Sequence, residues 1–469
     1  MKRFLILFFM GLLLHHFSLA QQPFIGIQNG PRKGMASAIM NPAELSNLGK
    51  KVEVNFFSAQ IGLSNNVLSF QDMLRADDLL DLVIERSNRP INLRTDLSLI
   101  GPSAGFKVGT WAFGIATQAY LKADVVDLDP TLGQALFGDF NDPPHMLYAG
   151  APHLRINHSQ MMASSANTFT LNYPNNQRFT VGGWGELDLM AAKELLRMGN
   201  QSVSVGTNLR LIFPSLYANL GMSNIRGTLV EDDFSVRLTD AYGELNIAYS
   251  DPFLGDEFGF GSSGFRLGGI GGVALDLGAT YTLEKEEGKS LLNAGISLKN
   301  IGGMSFRDNS SNTTYSMNIP EGEYLRIDDF DGDFENIEQE LLATGYFNIL
   351  RDPGRIRVNF PTLINAYAEY SPINLFHVSL FIQHRLSDER SNNLITQQNM
   401  VVVTPRLVLG KFEIYSPWSH YQVAGINGGF GLQFGGFFVG SHSIITGLLA
   451  DTRQVDVHLG LSWGFGKNN

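Results

Sequence analysis

Apolar and polar residues alternate with a period of two in one segment after another along this chain, most cleanly in the last. From Val455 to Phe465, Val455, Val457, Leu459, Leu461, Trp463 and Phe465 share one face, while Asp456, His458, Gly460, Ser462 and Gly464 share the other. That is the signature of a β-strand with one apolar side. A strand of about 9 to 11 residues, apolar outward, polar inward and aromatic at one rim, is what crossing an outer membrane requires. The segment is read as the closing strand of a barrel, with Trp463 and Phe465 in its aromatic girdle.

The same signal recurs at 52–63, 97–108, 111–125, 185–191, 203–213, 272–283, 291–303, 361–370, 375–386, 400–409, 412–416, 426–434 and 437–445. With the closing strand these predict an all-β fold, a transmembrane antiparallel β-barrel of about 14 strands. A further pair inside 214–249 would raise the number to about 16. Phe234 to Tyr249 is polar for a lipid-facing strand, so that region is alternatively an extracellular hairpin. Short turns near 109, 197–200, 284–289, 371–374, 410 and 435 alternate with long connections at 64–93, 126–180, 214–266, 304–356, 386–398, 417–424 and 446–453. Short periplasmic turns and long extracellular loops are the usual asymmetry of such barrels, which puts both ends of the barrel sheet on the periplasmic side. Helical periodicity predicts helices over 71–86 and 337–350 within the loops.

The amino terminus changes the picture from "β protein" to "exported β protein". Lys2 and Arg3 precede an apolar run, Phe4 to Leu14, and Ser18-Leu19-Ala20 offers small residues for cleavage. Residues 1–20 are therefore a secretory signal peptide, too short in its apolar run to span a membrane. Residues 21–50, polar and interrupted by Pro23, Pro31 and Pro42, carry no strand pattern and are read as an N-terminal hatch, with 51–469 as the barrel. The chain has no cysteine, which excludes a disulfide framework and a lipid-anchored amino terminus. The formal charge of −11 argues against nucleic acid as a partner. Fifty glycines and 33 phenylalanines suit crowded lumen positions and a lipid face.

The polar faces of the strands supply the candidate lumen lining: Lys122, Asp124, Glu186, Asp188, Arg210, Asp276, Lys299, Glu369, His377, Arg385, Asp456 and His458. The set is mixed in sign. Mixed charges in a confined lumen pair with one another and with a plug, whereas an ion-selective pore needs a ring of one sign.

Motifs for catalysis are weak here. Gly101-Pro-Ser103-Ala-Gly105 fits a nucleophile-elbow pattern but lies within a strand-like run with no helix after it. Gly259-Phe-Gly261-Ser-Ser-Gly264 fits a dinucleotide fingerprint without the strand-to-helix setting that fingerprint needs. No histidine pair has helical metal spacing, and no cofactor is expected. The acidic run Asp328 to Glu335 reads as a solvated loop, with Asp329, Asp331 and Asp333 as its calcium candidates, although the spacing is not that of an EF-hand.

Three motifs in order carry a family likeness: Met35 to Leu45 with Asn41-Pro42-Ala43, Gly272-Val-Ala-Leu-Asp276-Leu-Gly278-Ala-Thr-Tyr281, and Ser297-Leu-Lys-Asn300-Ile-Gly302. Together they resemble FadL and PorV-like barrels, most nearly a branch of unknown function from the Bacteroidota. The resemblance implies a 14-stranded barrel in the outer membrane of a Gram-negative bacterium, a hatch built around Asn41, Pro42 and Ala43, and no enzymatic activity. It also implies transport or handling of a hydrophobic or exported substrate, as in uptake or secretion. The alternative is a structural or accessory subunit of a larger envelope complex. The expected partners are outer-membrane lipid and envelope or secretion-complex proteins.

Overall fold

The structure, a computed structural model, describes residues 24–75, 79–137, 167–232, 235–250, 268–286, 289–306, 310–327, 334–351 and 354–466. The expected signal peptide, the calcium candidates Asp329, Asp331 and Asp333, and the Gly259 to Gly264 run lie outside the described residues.

Fourteen antiparallel strands close into a barrel. They are β1 (Val52–Asn65), β2 (Ile91–Val108), β3 (Trp111–Leu128), β4 (Gln177–Met198), β5 (Gln201–Asp232), β6 (Gly272–Glu286) and β7 (Lys289–Ser305). There follow β8 (Leu363–Ile373), β9 (Phe376–Arg385), β10 (Met400–Leu409), β11 (Phe412–Tyr415, resuming at Trp418–Tyr421), β12 (Gly425–Gly428, resuming at Phe430–Phe434), β13 (Phe437–Ser441) and β14 (Gln454–Phe465). Each pairs with its neighbours in sequence, and β14 returns to β1 in the register Val52↔Phe465 and Val54↔Trp463. The 14 predicted strands are these 14.

Alternation sets the two faces. On β14, Asp456 and His458 are buried while Val457, Trp463 and Phe465 are 38%, 49% and 50% exposed. Leu209, Leu277, Ile296, Leu380 and Val403 likewise face outward from the middle of their strands, making an apolar band around the barrel. At the short-turn end Trp111 stacks on Phe113 with centroids 6.0 Å apart, and Phe434, Phe437 and Trp463 extend the aromatic rim. Tight turns there need a left-handed residue, supplied by Gly109 (φ +61) and Gly435 (φ +59).

At the opposite end the strands outgrow the barrel. β5 has 32 residues, about three times the 9–11 that a tilted membrane strand needs. Its upper half pairs with Ser235–Tyr249 and Asn167–Tyr173; Ser235–Tyr249 pairs in turn with Ser311–Ile319, and that strand with Phe347–Arg351. The predicted extra pair inside 214–249 thus belongs to this sheet beyond the barrel, at the end opposite the tight turns, and the barrel count stays at 14.

Some boundaries differ from the sequence reading. β2 starts at Ile91 rather than Leu97, because Asn92, Arg94, Asp96 and Ser98 continue the polar face upward. β13 stops at Ser441, whose hydroxyl accepts the backbone N–H groups of Ser443 and Ile444 at 3.1 Å and starts the helix Ile444–Leu449. The helix expected over 337–350 is Phe334–Ala343, ended by Gly345 (φ +77), after which the chain turns into a strand. The helix expected over 71–86 is two, Phe70–Arg75 and Leu79–Arg86.

Candidate functional site

The amino-terminal segment lies inside the barrel. It comprises a helical turn, Ile25–Gln28, a short helix, Met35–Met40, and a 3-10 turn, Pro42–Asn47. The sequence dictates the break between the last two. A residue before proline avoids helical geometry, and Asn41 is extended at φ −142 and ψ 112. Its side-chain oxygen then accepts the Ala43 N–H at 3.0 Å, capping the turn that Pro42 begins.

The other end of the Asn41 side chain reaches the wall. Its amide donates to the backbone carbonyls of Ala279 at 3.1 Å and Ile296 at 3.3 Å, and to the Tyr367 hydroxyl at 3.2 Å. So close an approach is possible because the inward positions of β5, β6 and β7 at this level are Gly206, Gly278 and Gly295. A Cβ on Gly278 would lie 1.9 Å from Asn41 Oδ1, one on Gly206 2.5 Å from Ala43 N, and one on Gly295 2.8 Å from Asn41 Nδ2. Asn41, Pro42 and Ala43 occupy a cradle of three glycines.

Charge-assisted bonds surround the cradle. Glu44, wholly buried, accepts from Asn47 Nδ2 at 2.8 Å, from Asn293 Nδ2 at 2.7 Å and from the Tyr367 hydroxyl. Lys33 pairs with Glu369 on β8 and lies 3.4 Å from Glu44. Lys299 donates to Ile39 O at 2.6 Å, Ser297 to Met40 O at 3.2 Å, and Arg406 to Gly26 O. Between these bonds Phe24, Met35, Ile39 and Leu45 pack against Ile100, Met190, Tyr415 and Phe438 of the wall.

The remaining predicted lumen residues lie at three levels. Arg210 holds Glu186 (Nε to Oε2, 2.9 Å), with Asp276 at 3.5 Å and Asp188 at 4.0 Å; Asp188 also accepts from Gln118. Nearer the end opposite the tight turns Lys122 pairs with Asp96 and donates to Gln397 at 2.8 Å, while Asp124 lies 3.7 Å from Arg94. Arg94 and Arg385 converge on Glu389 at 3.1 and 2.9 Å. His377 sits at the short-turn rim bonded to Ser371, away from the other groups. Asp456 and His458 lie together beneath β13, with His458 Nε2 2.8 Å from the Tyr415 hydroxyl.

A family model matches residues 42–442. The chain belongs to DUF5723, a family of unknown function. No curated protein matches. Among solved structures, this DUF5723 chain is similar to the Pseudomonas putida toluene transporter TodX (8% identity, 96% of this chain and 100% of that one, TM-score 0.44). It is also similar to the Ralstonia pickettii toluene transporter TbuX (10% identity, 93% and 94%, TM-score 0.39) and to a Pseudomonas aeruginosa FadL homologue (8% identity, 95% and 98%, TM-score 0.24).

Above the polar lumen the DUF5723 barrel carries an apolar cap. Leu68, Val83, Leu128, Leu229, Ile247 and Tyr315 belong to one buried cluster, which joins the loop helices to the inner face of the sheet that extends beyond the barrel. Helix Phe334–Ala343 is tied beneath that sheet by Glu338, which accepts from Tyr249 at 2.7 Å and from Tyr315 at 2.6 Å.

Sequence reasoning left out Lys33, Glu44, Arg94 and Asp96, and it weighed His442 as a histidine beside which the sequence places no acid. Arg94 and Asp96 carry a visible signal, the continued polar alternation above Leu97. Lys33, Glu44 and His442 lie outside strands and acquire partners only through the fold. Ser103, in the pattern that mimics a nucleophile elbow, sits within β2 and donates to Gly101 O at 2.9 Å.

Proposed function

We propose that this is a non-enzymatic outer-membrane barrel that takes up a hydrophobic molecule from the extracellular side, with residues 24–50 as a hatch. The reading is carried by one observation: a buried apolar cap, built from loops, stands directly over a polar lumen filled by the chain's own amino terminus. Apolar solutes partition from water into such an environment. Groups that bond individually to the wall, such as Lys33, Asn41 and Glu44, allow the insert to shift without dismantling the barrel. The apolar band and aromatic rim support placement in a bilayer.

The test is uptake of an apolar fluorescent probe into proteoliposomes, with organic extraction of the purified protein in parallel. Faster uptake than in empty liposomes, together with a co-extracted lipid or hydrocarbon, is expected. Equal uptake and no extractable ligand would overturn the reading.

A second reading rests on the edge of the extracellular sheet. Among the described residues, strand Phe347–Arg351 pairs with Ser311–Ile319 alone, and it exposes Ile349 and Leu350. Open edges accept a strand from another chain. An accessory role, holding exported cargo or an envelope partner there, predicts a stoichiometric protein companion in mild detergent extracts.

A further inference from the structure

We propose that His442, Asp456 and His458 form a binding site for a divalent transition-metal cation at the extracellular end of the lumen. Asp456 and His458 are successive inward residues of β14, and His442 follows directly on β13, its neighbour. One donor atom from each of the three lies within 4.8 Å of the others, and all three residues are buried.

Three details separate this cluster from an ordinary buried hydrogen-bond network. Nε2 of His442 and Nδ1 of His458 have no hydrogen-bond partner among the described residues, although buried polar atoms ordinarily find one. His442 Nδ1 lies 2.9 Å from Asp456 Oδ2, within ion-pair distance. That spacing fits two adjacent ligands of one cation, each bound at ~2.0–2.2 Å. Finally, the two imidazole rings stack at 4.7 Å, which brings two nitrogen donors together and disfavours two imidazolium charges.

The surroundings hold the donors in place. Ser443 Oγ donates to Asp456 Oδ1 at 2.8 Å, Gln454 Nε2 to the same oxygen at 3.2 Å, and the His442 backbone N–H to Oδ2 at 2.8 Å. Tyr415 fixes His458 through Nε2 at 2.8 Å. Gly440 stands opposite His458, where a Cβ would lie 2.8 Å from Nε2, so glycine makes room for the ring. Ligating groups oriented by such outer partners are typical of metal centres. Two imidazoles and a carboxylate select zinc-like and other first-row transition cations over calcium or magnesium, which prefer all-oxygen shells.

The test uses the folded, chelator-stripped, full-length barrel in detergent, titrated with Co2+ and then Zn2+. Stoichiometric Co2+ uptake with a visible absorption band that Zn2+ abolishes is expected. His442→Gln and His458→Gln, accepted only when gel migration shows a folded barrel, should bind at least ~10–100-fold more weakly, the loss already produced by removing an outer-shell partner. His377→Gln, at the rim, should bind as wild type. Absence of stoichiometric Co2+ in the folded wild type, retention by both cluster variants, or loss in His377→Gln overturns the proposal. If the cluster variants do not fold, Cu2+-loaded wild type decides: nitrogen couplings from two imidazoles are expected, and their absence overturns it.

Discussion

The side-chain amide of Asn41 donates to the backbone carbonyl of Ala279 at 3.1 Å, joining a residue of the amino-terminal insert to the main chain of a barrel strand. The contact exists because Gly278, next to Ala279, has no side chain to stand in its way. Gly278→Val should therefore expel the Asn41–Ala43 segment while leaving β6 paired. Three hydrogen bonds of Asn41 would be lost, each worth about 0.5–1.5 kcal/mol. Higher single-channel conductance and protease cleavage within residues 24–50, in a barrel that still migrates as folded, are expected.

Lys33 and Glu369 form a buried ion pair between insert and wall. Removing one partner strands the other charge, at a cost of about 3–5 kcal/mol, whereas replacing both by apolar residues is often neutral. Urea refolding into lipid should show Lys33→Met as strongly destabilised and the Lys33→Met, Glu369→Leu double variant as largely restored, although Glu44, 3.4 Å from Lys33, also loses a cation.

Arg210 is the cation beside Glu186, Asp188 and Asp276. Arg210→Met should cost at least about 3–5 kcal/mol and sharply lower the yield of folded barrel, measured by heat-modifiable migration. Adding Glu186→Gln should recover part of the loss.

Leu277 faces outward from the middle of β6 and is 43% exposed. In a bilayer Leu277→Lys should cost about 2–4 kcal/mol, and Leu283→Lys, near the short-turn rim, about 0–1 kcal/mol. Equal effects at the two sites, measured by refolding titration, would contradict membrane embedding of this band.

Glu389 lies in the loop between β9 and β10. Burial raises its carboxyl pKa, but the guanidiniums of Arg94 and Arg385 more than offset this and hold it below the ordinary range. A depressed folded pKa contributes stability that is fully present above the unfolded value of about 4.3 and is lost as pH falls through the folded value. Hydrogen exchange in residues 386–399 should accelerate over that acidic window in the wild type and be independent of pH there, after correction for intrinsic rates, in Glu389→Gln.

The sequence by itself determined 14 strands, their two faces and the end at which they turn tightly, but left open whether a pair inside 214–249 joins the barrel, which the tertiary structure decided. Alternation is a relation between residues two apart, and a turn glycine acts within its own loop, so both are written locally. The extended polar face of β2, from Asn92 to Ser98, was equally legible once followed upward. Tertiary structure alone decided what the inward residues meet. Lys33 finds Glu369 across 336 residues, and the glycines that receive Asn41, Pro42 and Ala43 come from three different strands, so neither pairing has a local signal. The helix at Ile444–Leu449 and the approach of His442 to Asp456 and His458 likewise depend on where β13 ends against β14. Closing the barrel fixes the stagger of every strand at once, and that stagger sets which charges share a level in the lumen.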